Sequence, residues 1–165
     1  MAGNSNQIIV GPAQMFIDGV DVGFTTGGVT LRKATDWLDV EADQTKGVMR
    51  KEPTMERMFV STTMLEATRD NMRRAMNEAA TQAWSGSALA LGSPNPVAVE
   101  HTVTLIGTGP SGKTRTYVFT RAIASEEVEH MAGARDAVSS LPIGMELLKD
   151  ENYGSTFGYM HEQDA

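Results

Sequence analysis

The stretch Gly107-Thr108-Gly109-Pro110-Ser111-Gly112-Lys113-Thr114 has the residue types and spacing of a phosphate-binding loop, with an apolar run ahead of it. In such a loop backbone amides and a lysine cradle the phosphates of a nucleotide, and a helix must come next so that its free N-terminal amides complete the cradle. The next residues here are Arg115-Thr116-Tyr117-Val118-Phe119-Thr120, a β-branched and aromatic alternation with no helical stripe. Too little chain remains after Lys113 for parallel βαβ units and a metal-binding carboxylate strand. The residues therefore predict a hairpin turn from Gly107 to Gly112, with nucleotide hydrolysis kept as a rival reading.

Other reactive residue types form weaker patterns. His101, His130 and His161 are far apart and none has metal-ligand spacing with its neighbours, which predicts packed or surface histidines. Serine, aspartate and histidine are all present, but no nucleophile elbow supports a hydrolytic triad. Glu126, Glu127 and Glu129 could attract a cation; without an EF-hand loop they read as a solvated strand face. No catalytic residue, metal or cofactor is expected. The chain has 11 methionines, enough for an adaptable binding surface, yet Met72 and Met76 fall on a helical stripe and Met15, Met58 and Met145 in strand-like runs, so most read as core.

The elements that would position these residues are mostly strands. Gln7-Ile8-Ile9-Val10 reads as a short strand stopped by Gly11-Pro12, and Asp18-Gly19 as the tight turn between Met15–Ile17 and Val20–Phe24. Gly27-Gly28 is expected to reverse the chain, after which Val29 and Leu31 alternate with Thr30 and Arg32. Leu38, Val40 and Ala42 are expected to meet the core, with Asp39 and Glu41 on the other face. Asp43 to Pro53 reads as a polar loop, and pairing resumes from Thr54 to Thr62. Thr63-Met64-Leu65-Glu66 matches a capping box, so a helix is predicted at about 63–85, with Leu65, Met72, Met76, Ala79 and Ala83 as its apolar stripe. Gly86 to Pro96 is a linker. Val97, Val99, Val103 and Leu105, then Tyr117, Phe119 and Ile123, mark two further strands, with more expected around Glu127–Met131 and Val138–Leu148.

Composition bounds what such a fold can do. The 165 residues suit one domain, 41% of them hydrophobic and 21% charged, as in a folded globular chain. With no cysteine there is neither a disulfide framework nor a thiolate metal site. Met1 to Gln7 lacks the pattern of a signal peptide and no apolar run is long enough to span a bilayer, so synthesis in the cytoplasm without membrane insertion is expected. A net charge of −7 argues against affinity gained by neutralising phosphates.

Val10-Gly11-Pro12, Ile17-Asp18-Gly19-Val20-Asp21-Val22-Gly23, Thr26-Gly27-Gly28-Val29-Thr30-Leu31 and Asp43-Gln44 together resemble the opening of tail tube (major tail) proteins of long-tailed bacteriophages. The later order, a returning strand, one amphipathic helix and a final group of strands, is similar to theirs. The resemblance implies a mainly β fold of two packed antiparallel sheets, a sandwich or rolled barrel flanked by the helix. It also implies a structural virion protein that stacks as hexameric rings into a conduit for DNA. Its partners would be further copies of itself, tape measure, terminator and baseplate or tip proteins, and passing DNA that is not bound specifically. Ring stacking would fall to the polar loop 43–53, with Asp43, Lys46, Arg50, Lys51 and Glu52, and to arms at about 1–7 and 150–165 that order on stacking. Asp39, Glu41 and Glu56 would be lumen-facing acids that repel phosphates. The rivals are the inner tube of a contractile injection or secretion machine, the nucleotide hydrolase above, and a monomeric β-sandwich binding module.

Overall fold

A computed structural model describes residues 13–41, 47–78, 89, 91–92, 96–130 and 139–164. The first turn behaves as its residues dictate. Asp18 and Gly19 have φ of 54° and 75°, the pair of positive angles that a two-residue hairpin of primed type requires. They join β1 (Gln14–Ile17) to β2 (Val20–Asp21), with Ile17 opposite Val20. The strand expected at Gln7–Val10 lies outside the described residues.

Two strands of 17 residues come next, β3 (Thr25–Glu41) and β4 (Val48–Met64). After the only α-helix among the described residues, α1 (Arg69–Ala75), come β5 (Glu100–Thr108), β6 (Thr114–Ala124), β7 (Leu141–Leu147) and β8 (Tyr159–Gln163). Among the described residues all strand pairings are antiparallel, and the eight strands run β2-β1-β5-β6-β7-β4-β3 with β8 attached to β6. The fold is thus mainly β with one helix and sandwich-like, as expected, although its layers are lobes of one hydrogen-bonded sheet. The fork is at β6. Opposite β5, its first half from Thr114 to Val118 pairs with β8 and its last three residues, Ala122 to Ala124, pair with β7. Between the lobes lies one core, holding Met15, Ile17, Val103, Leu105 and Phe119 from one side and Val60, Met64, Ile143 and Met145 from the other.

Several expectations are corrected, each for a physical reason. Gly27 and Gly28, at φ of 76° and 78°, do not reverse the chain; they sit in a register shift within β3, where Thr62 Oγ1 donates to the Gly28 carbonyl at 2.9 Å. The helix does not start at Thr63, because Thr63 and Met64 are paired on both sides, to β3 and to β7. Its N-cap is Thr68, whose hydroxyl accepts from Asn71 N–H at 3.2 Å, and it ends at Ala75, two residues before left-handed Asn77. Residues 79–85 of the predicted helix lie outside the described residues. Glu66, expected to close a capping box, accepts from the Phe24 amide at 3.3 Å instead. In β6 the buried residues are Phe119, then Ala122 and Ala124, not Ile123, because a bulge opposite Thr102 changes the phase of the alternation. Residues 126–130 form no strand.

Buried polar groups tie the helix and the first turn to the sheet. Asn71 Nδ2 donates to the carbonyls of Val22 and Glu66, at 2.9 and 2.8 Å. The Asp18 carboxylate lies 2.7 Å from Nδ1 of buried His101 and accepts from Thr102 N–H at 3.0 Å, fastening the β1–β2 turn to β5. Burial alone would raise the Asp18 pKa, but these hydrogen bonds and the charges of His101 and Arg74 outweigh it and hold the carboxyl below its ordinary value.

Two stability measurements check this description. Ile143→Ala, at a core position 1% exposed, is expected to lower unfolding free energy by about 2–5 kcal/mol in urea titration. Because the folded-state pKa of Asp18 is depressed, its contribution is present above the unfolded carboxylate pKa and is lost as pH falls through the folded value. Asp18→Asn, which still tolerates the left-handed turn, should be less stable than the parent at neutral pH, with the gap closing as pH falls below the ordinary carboxylate range.

Candidate assembly surface

Beyond the sheet, β3 and β4 continue as a two-stranded ribbon. β7 covers β4 only from Met58 to Met64, so from Ala34 to Glu41 and from Val48 to Arg57 each strand pairs only with the other among the described residues. At about 3.3 Å per residue this arm reaches roughly 25–30 Å beyond the body. The outer edge of β3 has no strand partner among the described residues. Two register irregularities shape the arm, one between Asp36 and Trp37 and one between Val40 and Glu41. At the first, Thr54 is the extra residue and its hydroxyl donates to the Asp36 carbonyl at 3.1 Å.

Cross-strand register assigns the side chains to two faces. Trp37 opposite Pro53, Asp39 opposite Lys51, and Glu41 opposite Val48 occupy one; Asp36 opposite Met55, Leu38 opposite Glu52, and Val40 opposite Arg50 occupy the other. Both are uncovered. Trp37 is 56% exposed, Leu38 54% and Met55 55%, and Val40, Val48 and Met49 are exposed as well. The expectation that Leu38 and Val40 meet the core is therefore overturned, since the ribbon has left the sheet before it reaches them. Ala42 lies outside the described residues.

The arm's charges cancel. Lys33 pairs with Glu56 at 2.7 Å, Lys51 with Asp39 at 3.1 Å, Arg57 with Asp36 at 3.2 Å and Arg50 with Glu52 at 3.0 Å, and Arg32 lies over the Phe59 ring at 4.6 Å. Exposed pairs of this kind contribute about 0–1 kcal/mol each, so their main effect is neutrality. An isolated two-stranded hairpin is marginal in water even with such pairs.

The predicted stacking and lumen residues fall on this arm in an altered setting. Arg50, Lys51 and Glu52 are strand residues of β4, so the expected loop from 43 to 53 is corrected from Val48 onward, where the chain is already strand; Asp43 and Lys46 lie outside the described residues. Asp39, Glu41 and Glu56 share one face by register, but Asp39 is held by Lys51 and Glu56 by Lys33 and, at 3.5 Å, Lys149. The Lys33 hydrogen bond and charge keep the Glu56 carboxyl below its ordinary range. Glu41 makes no ion pair among the described residues. The expected arm at 150–165 is corrected too: Asp150 caps a short turn at Glu151–Tyr153, and β8 lies in register on β6, with Arg115 bound to Glu162. The N-terminal arm at about 1–7 lies outside the described residues. What sequence reasoning missed is the exposure of Trp37, Leu38 and Met55. The one available signal was an apolar pair, Trp37-Leu38, set among charges.

At the arm's base, between the lobes, an open groove of about 360 Å³ is lined by Leu31, Met58, Tyr117, Phe157 and Met160, with Glu56 and Lys149 at its polar margin. The phosphate-loop pattern takes a different form. Thr108 pairs with Thr114 across a tight turn at Pro110–Gly112, β6 comes directly after it, and Lys113 Nζ lies 2.9 Å from Asp164. Lys113 leads into a strand, not into the helix whose N-terminus would complete a phosphate cradle. His101 is packed, His130 lies 3.2 Å from the Ser140 carbonyl, and His161 stacks beside Tyr159 on the surface. No group of three or more histidine or acidic side chains among the described residues could hold a metal. No protein-family model matches the chain, and no curated protein is significantly similar to it.

Because the Lys113–Asp164 pair is exposed, Lys113→Ala should change stability by less than about 1 kcal/mol. Mg-ATP should leave the melting temperature of the parent protein unmoved; a concentration-dependent rise abolished by the substitution would restore the nucleotide reading.

Proposed function

We propose that the chain is the subunit of a bacteriophage tail tube, a non-enzymatic structural protein that stacks as hexameric rings into the conduit for DNA. One observation carries the reading: a long antiparallel ribbon with exposed apolar side chains among paired charges on both faces projects from a sandwich-like body, and the edge of β3 is open among the described residues. A monomer with such features has an aggregation hazard, and ordered pairing with its own copies removes it. Around a ring, each arm, together with the open edge of β3 beside it, meets a neighbour and the contact closes on itself.

Charge supports the same reading. Residues 31–41 and 48–58 carry five bases and five acids, so the net −7 of the chain resides elsewhere. A body with that excess repels phosphates and lets a duplex pass without the salt-dependent adhesion that would stall it. Among the predicted lumen residues only Glu41 offers a carboxylate without a cationic partner among the described residues, so much of the repulsion falls to acids of the body.

Electron microscopy of the concentrated full-length protein tests this directly. Rings or tubes of uniform width are expected; a strict monomer at every concentration would exclude the proposal.

A further inference from the structure

The two-faced arm constrains how copies meet, not only that they do. On one face Trp37 stands beside Pro53, with Val48 further out; on the other stand Leu38, Val40 and Met55. A twofold contact covers the same patch on both partners and would bury one face of each arm while leaving the other in water. Covering both requires two different neighbours.

The described residues of the arm's own chain do not supply them. The side of the ribbon that carries Trp37 is, at its base, the side on which Leu31 and Met58 meet the β6–β8 lobe. That lobe ends at the groove, and the ribbon continues past it uncovered. A second copy of the chain is the occupant that charge favours. Two bodies that share a net −7 repel, whereas the arm, with its five bases and five acids, can enter another copy's surface without that opposition. Nor does a balanced arm attract a polyanion such as DNA.

We propose that each arm is held between two other copies of the chain, one on its Trp37 face and one on its Leu38–Val40–Met55 face, in a head-to-tail contact. The contact is directional: the Trp37 face of one copy meets the Leu38 face of the next. This rests on the self-assembly reading above and adds its polarity. Trp37 is the anchor, as a large side chain that buries much area with little rotamer loss.

Complementary blocking tests the polarity. Trp37→Glu disables one face, and Leu38→Glu with Val40→Glu disables the other; all three positions lie outside the core, and circular dichroism with a melting curve verifies folding. Each variant alone should remain monomeric by light scattering at concentrations where the parent assembles. Mixed in equal amounts, they should stop at a particle of two chains, because one intact face of each kind remains. A Trp37→Glu protein that dimerises by itself would mean a twofold contact and overturn the proposal. So would variants that still form tubes alone, or a mixture that stays monomeric while the parent forms tubes; in both cases the tail tube reading survives. A parent protein that never self-associates overturns both.

Discussion

The organising constraint of this molecule is a mismatch of strand lengths. β3 and β4 pair with each other over 17 residues apiece, but β7 supports β4 for only its last seven, Met58 to Met64. Where that support ends, the ribbon loses the third strand and the second layer that make a hairpin independently stable. The body is arranged to hold its root. Buried Val60 and Met64 anchor β4 in the core, and Thr62 reaches across to the Gly28 carbonyl of β3.

Energetics and function meet at that root. The core between the lobes is apolar, and its Met15, Met64 and Met145 fill gaps as flexible side chains do. The arm inverts this arrangement: charges are paired across the strands, while Trp37, Leu38 and Met55 face outward. Apolar surface left in water on a projecting ribbon is costly unless something covers it, and the area covered sets the gain at about 25 cal/mol per Å². The same exposure that weakens the isolated chain would drive its assembly. Ion pairs along the ribbon then act on solubility and register more than on stability.

The acidic balance has two consequences that coexist. It makes copies of the chain repel one another, and it weakens attachment to any polyanion. On the proposed reading, a neutral arm on an acidic body reconciles the first with polymerisation, because contact would be made through a part that carries no net charge.

Much of the fold was legible in residue order. The Asp18-Gly19 turn, the strands around Val103–Leu105 and Tyr117–Phe119, and the rejection of a helix after Lys113 follow from turn chemistry and period-two alternation, which are local properties of the chain. The register across the sheet was not, and it decided the rest. Thr63 became a strand residue because β3 and β7 flank it, whatever its capping signature, and Ile123 lost its inward place to a bulge. Residues 48–53 looked like a polar loop because a ribbon open on both faces has no hydrophobic alternation to display. Sequence by itself determined the class of fold, its tight turns at Asp18-Gly19 and Pro110–Gly112 and its charge, since these depend on composition and on neighbours a few residues away. Only the tertiary structure decided where the sheet stops and the arm begins, because that boundary is set by β7, a strand some eighty residues later in the chain that leaves no mark on the residues it fails to cover.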